Sequence, residues 1–387
     1  MYASGYLLFV RQTSLFAQPY DIDHRALSGE PTALAEQLVG DVATPSPRPF
    51  GVSNNGVLAY QTGVSRGTAR IPMQLTWFDR SGKPLGTASD VSDYRSIELS
   101  PDGRRLAEHH HDLDTGGDIW LRDLERGGTA RLTFGGHNTE AVWSPDGSRI
   151  VYSSNLQESG DSPKDITAGP FNLYMKRADG GGEITRVIDS AASGLPAGWK
   201  QPTSWSQDGR FILFDLLDPK TAHDIWLLPL TGDRKARPWL QTEFREVSAQ
   251  ISPDGRWVAY QSNETRRGEI YVRSFSGSQK VSVSTAGGAF ARWRSDGNEL
   301  YYINPDNKLM AVPIRTAGDV LEAGTPHALF DVHVAFPTGG VALNGNTPFP
   351  YAVTRDGQRF LVSVDVSPLP ETRPISVVFN WTEGLKK

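Results

Sequence analysis

The chain has 387 residues, 39 Lys and Arg against 44 Asp and Glu, a net charge of −5 and no cysteine. Without a basic tract, this balance argues against a nucleic-acid backbone as partner. The lack of cysteine excludes disulfides and thiolate chemistry. No apolar run reaches the roughly 18 residues of a membrane span and no leader is recognisable, so the chain as given is expected in the cytoplasm.

In chain order, an Asn–Gly or Asp–Gly pair recurs at Asn55–Gly56, Asp102–Gly103, Asp146–Gly147, Asp208–Gly209, Asp254–Gly255, Asp296–Gly297 and Asp356–Gly357. The intervals are 47, 44, 62, 46, 42 and 60 residues. A period in the low forties is that of a propeller blade. Each pair is a tight turn: Asp bonds the backbone two residues on, and Gly takes the left-handed position. Apolar runs flank the turns, as at Trp143 and Ile150–Tyr152, which predicts a hairpin. About fifteen residues later a third strand recurs, as Asp118–Leu124, Asn172–Lys176, Asp224–Leu230 and Glu269–Phe275. A Gly-rich turn and a fourth strand follow, as at Gly127–Gly128 and Ala130–Thr133. Four short antiparallel strands per repeat make one blade.

The fold class expected is therefore an all-β propeller of four-stranded antiparallel blades, forming one domain over residues 1–387. Eight repeat units are counted, at 1–40, 50–90, 94–134, 139–189, 201–241, 247–285, 289–331 and 350–381. The first lacks its opening strand and the last lacks its fourth, so the ring has eight blades, or seven if the ends share one; six would leave strands over. Thr32–Val39 reads as a fourth strand rather than a helix. All Asp–Gly turns fall on one face. The longest loops, Asn155–Phe171, Ser190–Pro202 and Asp331–Pro350, fall on the other. Long loops in a compact fold carry function, so the binding surface is expected on the long-loop face, over the channel.

The candidate ligand-binding residues are His109, His111, Asp112, Asp114, His137, His223, Asp224 and His333. On a strand, His109 and His111 face one way and His110 the other. Two imidazoles are too few for a metal site, and the reading preferred is a strand end entering a solvated loop. Asp112, Asp114 and Asp118 have part of a calcium-loop spacing, but the fifth position is Gly116 and the twelfth is Asp123 on a strand, so a polar hairpin loop is preferred. Asp161–Lys164–Asp165 is a weaker cluster of the same kind. Asp218, Lys220, His223 and Asp224 could line one face with His137, Asn138 and Glu140, without a matching nucleophile. No nucleophile elbow, zincin helix, phosphate loop or kinase catalytic signature occurs. No catalytic residue and no cofactor is assigned.

The Ser–Pro–Asp–Gly–Arg units followed by Asp118–Leu121 or Asp224–Leu227 resemble the TolB-type, WD40-like propeller family over nearly the whole chain. The phrases Gly5–Arg11, Leu75–Gly86, Trp239–Phe244 and Val378–Leu385 are similar to the C-terminal propeller region of large bacterial receptor-like serine/threonine kinases. That resemblance implies a sensor region that follows a kinase domain and a membrane helix, lying outside the cytoplasmic membrane, without phosphotransfer of its own. The function expected is a non-enzymatic, monomeric scaffold that binds a protein, peptide or cell-envelope ligand. The alternative is a propeller enzyme, a metal-assisted lyase or hydrolase at the channel mouth.

Overall fold

The computed structural model describes residues 1–11, 14–36, 38, 50–53, 55–61, 71–112, 114–156, 170–188, 194–218, 221–334, 349–367 and 375–385. Among them the sole helix is a 3₁₀ turn at Glu383–Leu385, and no helix is long and apolar enough to cross a membrane. The chain divides into two compact units, one of 1–70 with 367–387 and one of 71–366.

The larger unit holds six sheets. The first runs Tyr94–Leu99, Arg105–His110, Asp118–Asp123, Thr129–Arg131, and the second Asn138–Trp143, Arg149–Ser154, Asn172–Arg177, Thr185–Arg186. The third is Lys200–Trp205, Phe211–Asp218, Ala222–Pro229, Arg237–Leu240, and the fourth Glu246–Ile251, Trp257–Ser262, Glu269–Ser274, Lys280–Ser282. The fifth is Ala289–Trp293, Glu299–Ile303 and Lys308–Ala317, the last pairing with both Val320–Ala323 and His327–Asp331. The sixth joins Tyr351–Val353 and Arg359–Asp365 to Met73–Asp79 and Pro84–Thr87.

The second strands show why these sheets stand side by side. In Trp257–Ser262, Trp257 and Ala259 pack on the fifth sheet, whereas Val258 and Tyr260 pack on the third. In Arg149–Ser154, Ile150 and Tyr152 meet the first sheet and Val151 meets the third. Successive side chains point to opposite faces, so an apolar run such as Trp257–Tyr260 needs a neighbour on each side. Six apolar clusters satisfy that need, one at each joint from first–second round to sixth–first. The ring closes where Tyr351–Val353 lies against Tyr94–Leu99. At the fifth–sixth joint, Arg80 makes a bidentate pair with Glu299 (2.8 and 2.9 Å) and donates to the Gly357 carbonyl at 2.9 Å.

The repeated turn has the chemistry its sequence predicts. Ser144 Oγ donates to Asp146 Oδ1 at 2.6 Å and accepts the Arg149 N–H at 2.9 Å, while Asp146 Oδ1 accepts the Ser148 N–H at 3.0 Å. Gly147 sits at φ 67°. The same set recurs around Ser100, Ser206 and Ser252, and with Thr354 in place of serine.

The smaller unit contains a sheet of Tyr2–Ala3, Tyr6–Arg11, Ser14–Asp21, Ala26–Leu27 and Thr32–Ala35, and a three-stranded sheet of Ile375–Phe379, Val57–Gln61 and Phe50–Val52. Leu8, Leu15, Leu58 and Trp381 form its core. Thr32–Ala35 is a strand, as expected.

Eight sheets thus match the eight repeat units in number, but only six close the ring, where seven or eight blades were expected. The units 50–90 and 350–381 are not separate blades. Val57–Gln61 pairs with Ile375–Phe379, and Arg359–Asp365 pairs with Met73–Asp79 over seven residue pairs. Each is an ordinary antiparallel pairing. Which second strand meets which third strand is decided by closure, not by the local pattern.

Because every strand of the ring lies in the larger unit, a fragment of residues 71–366 should melt in one cooperative transition. Ending it at Pro350 instead removes Arg359–Asp365, which pairs with Met73–Asp79, and Tyr351–Val353 beside it, and that transition should be lost; circular dichroism on heating checks both. Ser144→Ala leaves the Arg149 N–H without its acceptor and should lower stability by about 1–2 kcal/mol, read from urea unfolding.

Candidate functional site: the two ends of the ring channel

Each first strand runs from the connection between sheets to the Asp–Gly turn, so the channel has a turn end and a loop end. At the turn end lies a cavity of about 650 Å³ lined by residues of all six sheets. One register position supplies its floor, two residues before the turn residue: Glu98, Val142, Ser204, Gln250, Arg292 and Ala352. The charged members are Glu98 and Arg292, and they pair at 2.5 Å. Arg292 also donates to the Ile97 carbonyl at 3.3 Å and lies 4.0 Å above the Phe349 ring. Burial holds the Glu98 carboxyl above the ordinary range even with Arg292 beside it. Trp143, Trp205 and Trp293 form part of the wall. Trp143 and Trp293 are pinned across sheets, their indole N–H groups donating at 3.0 Å to the Glu98 and Gln250 carbonyls.

Farther in, the first strands share a bulge. Glu140, Ser248 and Phe290 occupy equivalent positions there at φ 49°, 59° and 61°. Bulges and left-handed non-glycine residues concentrate where a structure re-aims side chains. Glu140 is buried, and its carboxyl is pushed up to about 7 by that burial, against hydrogen bonds from Ser96, Thr139 and Gln201. Asp215 is raised to about 7 by the same cause, although it accepts the Ser248 N–H freed by the bulge at 2.9 Å. Burial lowers Arg245 to about 10, with Asp215 acting against it.

At the loop end, three histidines meet. His109 is 1 % exposed, at the end of Arg105–His110; His137 stands just before Asn138–Trp143. Ring centroids are 6.0 Å apart for His109–His111 and His109–His137, and 6.4 Å for His111–His137. One nitrogen or the other of each ring lies within 4.8 Å of the rest. His109 Nε2 and His111 Nδ1 lie 3.1 and 3.0 Å from the Gly116 carbonyl oxygen, which can only accept, so both rings donate to it. His109 Nδ1, then an acceptor, lies 3.1 Å from Thr139 Oγ1, and the same hydroxyl lies 3.3 Å from Glu140 Oε1. Burial, then the neighbouring imidazoles, holds His109 well below its ordinary pKa; burial, then Arg95, lowers His111. The loop is glycine because the rings press on it. A Cβ at Gly116 (φ 78°) would come 2.2 Å from the His137 ring, and one at Gly117 would come 2.2 Å from the His110 carbonyl. His110 faces the other way, bonded to Glu108 at 2.8 Å and stacked on Trp120.

The structure therefore brings together His109, His111 and His137, correcting the reading of a solvated strand end: the connection from the first sheet to the second brings His137 beside the other two. The remaining candidates stay apart. Asp112 Oδ1 accepts the Asp114 and Thr115 N–H groups in its own turn, and Asp114 is exposed. Asp118 is buried and taken up by Thr133, Asn138 and Arg131. Asp112, Asp114 and Asp118 form no cation cradle among the described residues. His223 is buried with no partner on either ring nitrogen, and burial pushes it down to about 3. Asp224, its neighbour on the same strand, faces the other way and binds Thr221 (2.6 Å) and Gln241 (2.9 Å). His333 is exposed. Lys220, Asp161 and Asp165 lie outside the described residues, as does most of the loops 155–171 and 331–350. Sequence reasoning missed Glu98, Gln250, Arg292 and Asp215. Aligning the repeats on the turn and asking which first-strand position carries charged or amide side chains would have found the first three; Asp215 left no signal, because it sits inside an apolar strand.

The fold is that of a β-propeller, similar to TolB-like propellers. No family model matches the chain. It is 30% identical over 140 residues to the uncharacterised peptidase YuxL of Bacillus subtilis (strain 168), covering 34% of this chain and 19% of YuxL. It is 22% identical over 222 residues to the uncharacterised protein Atu1656 of Agrobacterium fabrum, covering 49% of this chain and 75% of that protein. Among solved structures it is similar to a candidate TolB from Agrobacterium tumefaciens, with a TM-score of 0.57 and 18% identity, covering 77% of this chain and 99% of the other.

Asp215 gives a test of the buried channel. A carboxyl raised from 3.8 to about 7 contributes stability that is present below the unfolded value and is lost as pH rises through the folded one. Asp215→Asn removes that dependence and can still accept the Ser248 N–H. Its stability relative to wild type should therefore rise between pH 5 and pH 8, by on the order of 2 kcal/mol. Parallel urea unfolding at the two pH values checks the sign.

Proposed function

We propose that the chain is a monomeric binding module, and that the turn end of its six-sheet ring receives an extended segment or loop of a protein partner. The observation that carries this reading is the 650 Å³ cavity with Trp143, Trp205 and Trp293 on its wall and the Glu98–Arg292 pair on its floor. Flat aromatic walls suit an apolar, aromatic or prolyl side chain. A buried arginine with its carboxylate fixes orientation more than it adds affinity. This places the binding surface on the face opposite to the one expected from loop length. In its finer form, carried by the resemblance of Leu75–Gly86 and Val378–Leu385, the module is the sensor region of a receptor-type serine/threonine kinase and its partner lies in the cell envelope. A second reading, metal-assisted lyase or hydrolase chemistry, is favoured by one observation, the convergence of three histidines at the loop end.

Peptides selected on the intact chain from a random display library are the test. Their binding should weaken at least about tenfold in Trp205→Ala and Arg355→Glu, both on the cavity wall, and stay unchanged in Asp319→Ala on an outer turn. Equal binding by all three variants would remove the turn end as the docking site.

A further inference from the structure

We propose that His109, His111 and His137 bind one divalent first-row transition ion, Zn²⁺ fitting best, with the Gly116 carbonyl oxygen as fourth ligand. The site lies at the loop end, so it stands apart from the peptide-docking reading at the turn end. Three imidazoles and one carbonyl oxygen are a borderline-soft donor set that favours zinc, cobalt or nickel over calcium or magnesium.

The geometry supports four-coordination. Ligand bonds of about 2.0–2.1 Å put neighbouring donors of a tetrahedron about 3.3 Å apart. His109 Nε2 and His111 Nδ1 already lie 3.1 and 3.0 Å from the Gly116 oxygen. The three imidazole nitrogens, within 4.8 Å of one another, close the remaining gap by small ring rotations. Both contacts to the carbonyl are made by N–H groups whose protons occupy the place an ion would take. On binding, each of these rings shifts its proton to its other nitrogen, so no net charge is lost from the imidazoles.

The supporting shell for that shift is in place. His109 Nδ1 would then donate to Thr139 Oγ1, 3.1 Å away, freeing the Thr139 hydroxyl to donate to the Glu140 carboxyl 3.3 Å away. A ligating histidine held through its second nitrogen in this way is the usual arrangement of protein metal sites. Phe171 and Trp199 pack on His137 with centroids at 5.2 and 5.8 Å, fixing the third ring. The glycine pair keeps the carbonyl within reach, since a side chain at Gly116 would overlap His137. A bare cluster of two buried imidazoles and a half-buried one offers the fold little beyond packing, whereas a bound ion turns it into a cross-link between the first and second sheets.

The test uses the full chain, with no added histidine tract, stripped with chelator and titrated with Zn²⁺ and, separately, with Co²⁺. One equivalent should bind per chain, Co²⁺ should give the visible absorption of a four-coordinate site, and Zn²⁺ should raise the melting temperature. His111→Gln, at a half-buried position, should weaken binding at least about tenfold, and Thr139→Val by about 10–100-fold through the supporting shell. Absence of saturable uptake by the wild-type chain would overturn the proposal. So would undiminished uptake by His111→Gln that melts like wild type without metal.

Discussion

Each second strand of the ring is apolar on both faces, and that constraint governs the rest of the structure. Ile150–Val151–Tyr152, Ile212–Leu213–Phe214 and Trp257–Tyr260 cannot be left half covered. Burying a side chain of this size is worth about 1.5–3 kcal/mol, so an open row of sheets would lose several such contributions at each end. Closure removes both ends at once. The sixth sheet brings it about by taking two strands from residues 351–365 and two from residues 73–87, and Arg80 fastens the joint to Glu299 and the Gly357 carbonyl.

Closure has a price in polar groups. Six first strands facing one axis carry Glu140, Gln250 and Arg292 out of water and half-bury Glu98, with Asp215 and Arg245 close behind. The bulge in five of the six first strands eases this burial. It turns the backbone so that N–H groups such as that of Ser248 can reach a carboxylate. Buried carboxyls and buried histidines then act in opposite directions: the former favour the folded chain at low pH and the latter disfavour it there. Both ends of the channel are thus electrostatically loaded, one by an Arg–Glu pair and the other by neutral imidazoles.

Much of this was legible in the residues. The Asp–Gly turns, the hairpins around them, the third strand at Asp118–Asp123 or Glu269–Ser274 and the blade-like repeat all follow from the sequence. They depend on neighbours a few residues apart, where turn chemistry and side-chain alternation act directly. The candidate site was legible in part. His109 and His111 could be placed on one side of a strand, but nothing local shows that His137, 26 residues on, folds beneath them. Arg292 and Glu98 lie farther apart still, on strands that meet only across the channel.

The sequence by itself determined the class of architecture, four-stranded antiparallel blades in series with serine-capped Asp–Gly turns, because each element is specified within one repeat. Only the tertiary structure decided that six sheets close the ring, that Val57–Gln61 exchanges partners with Met73–Asp79, and that His137 joins the two histidines that share the Gly116 carbonyl. Those outcomes depend on which of several equally good antiparallel pairings buries both faces of every strand, and that choice is made by the whole chain at once.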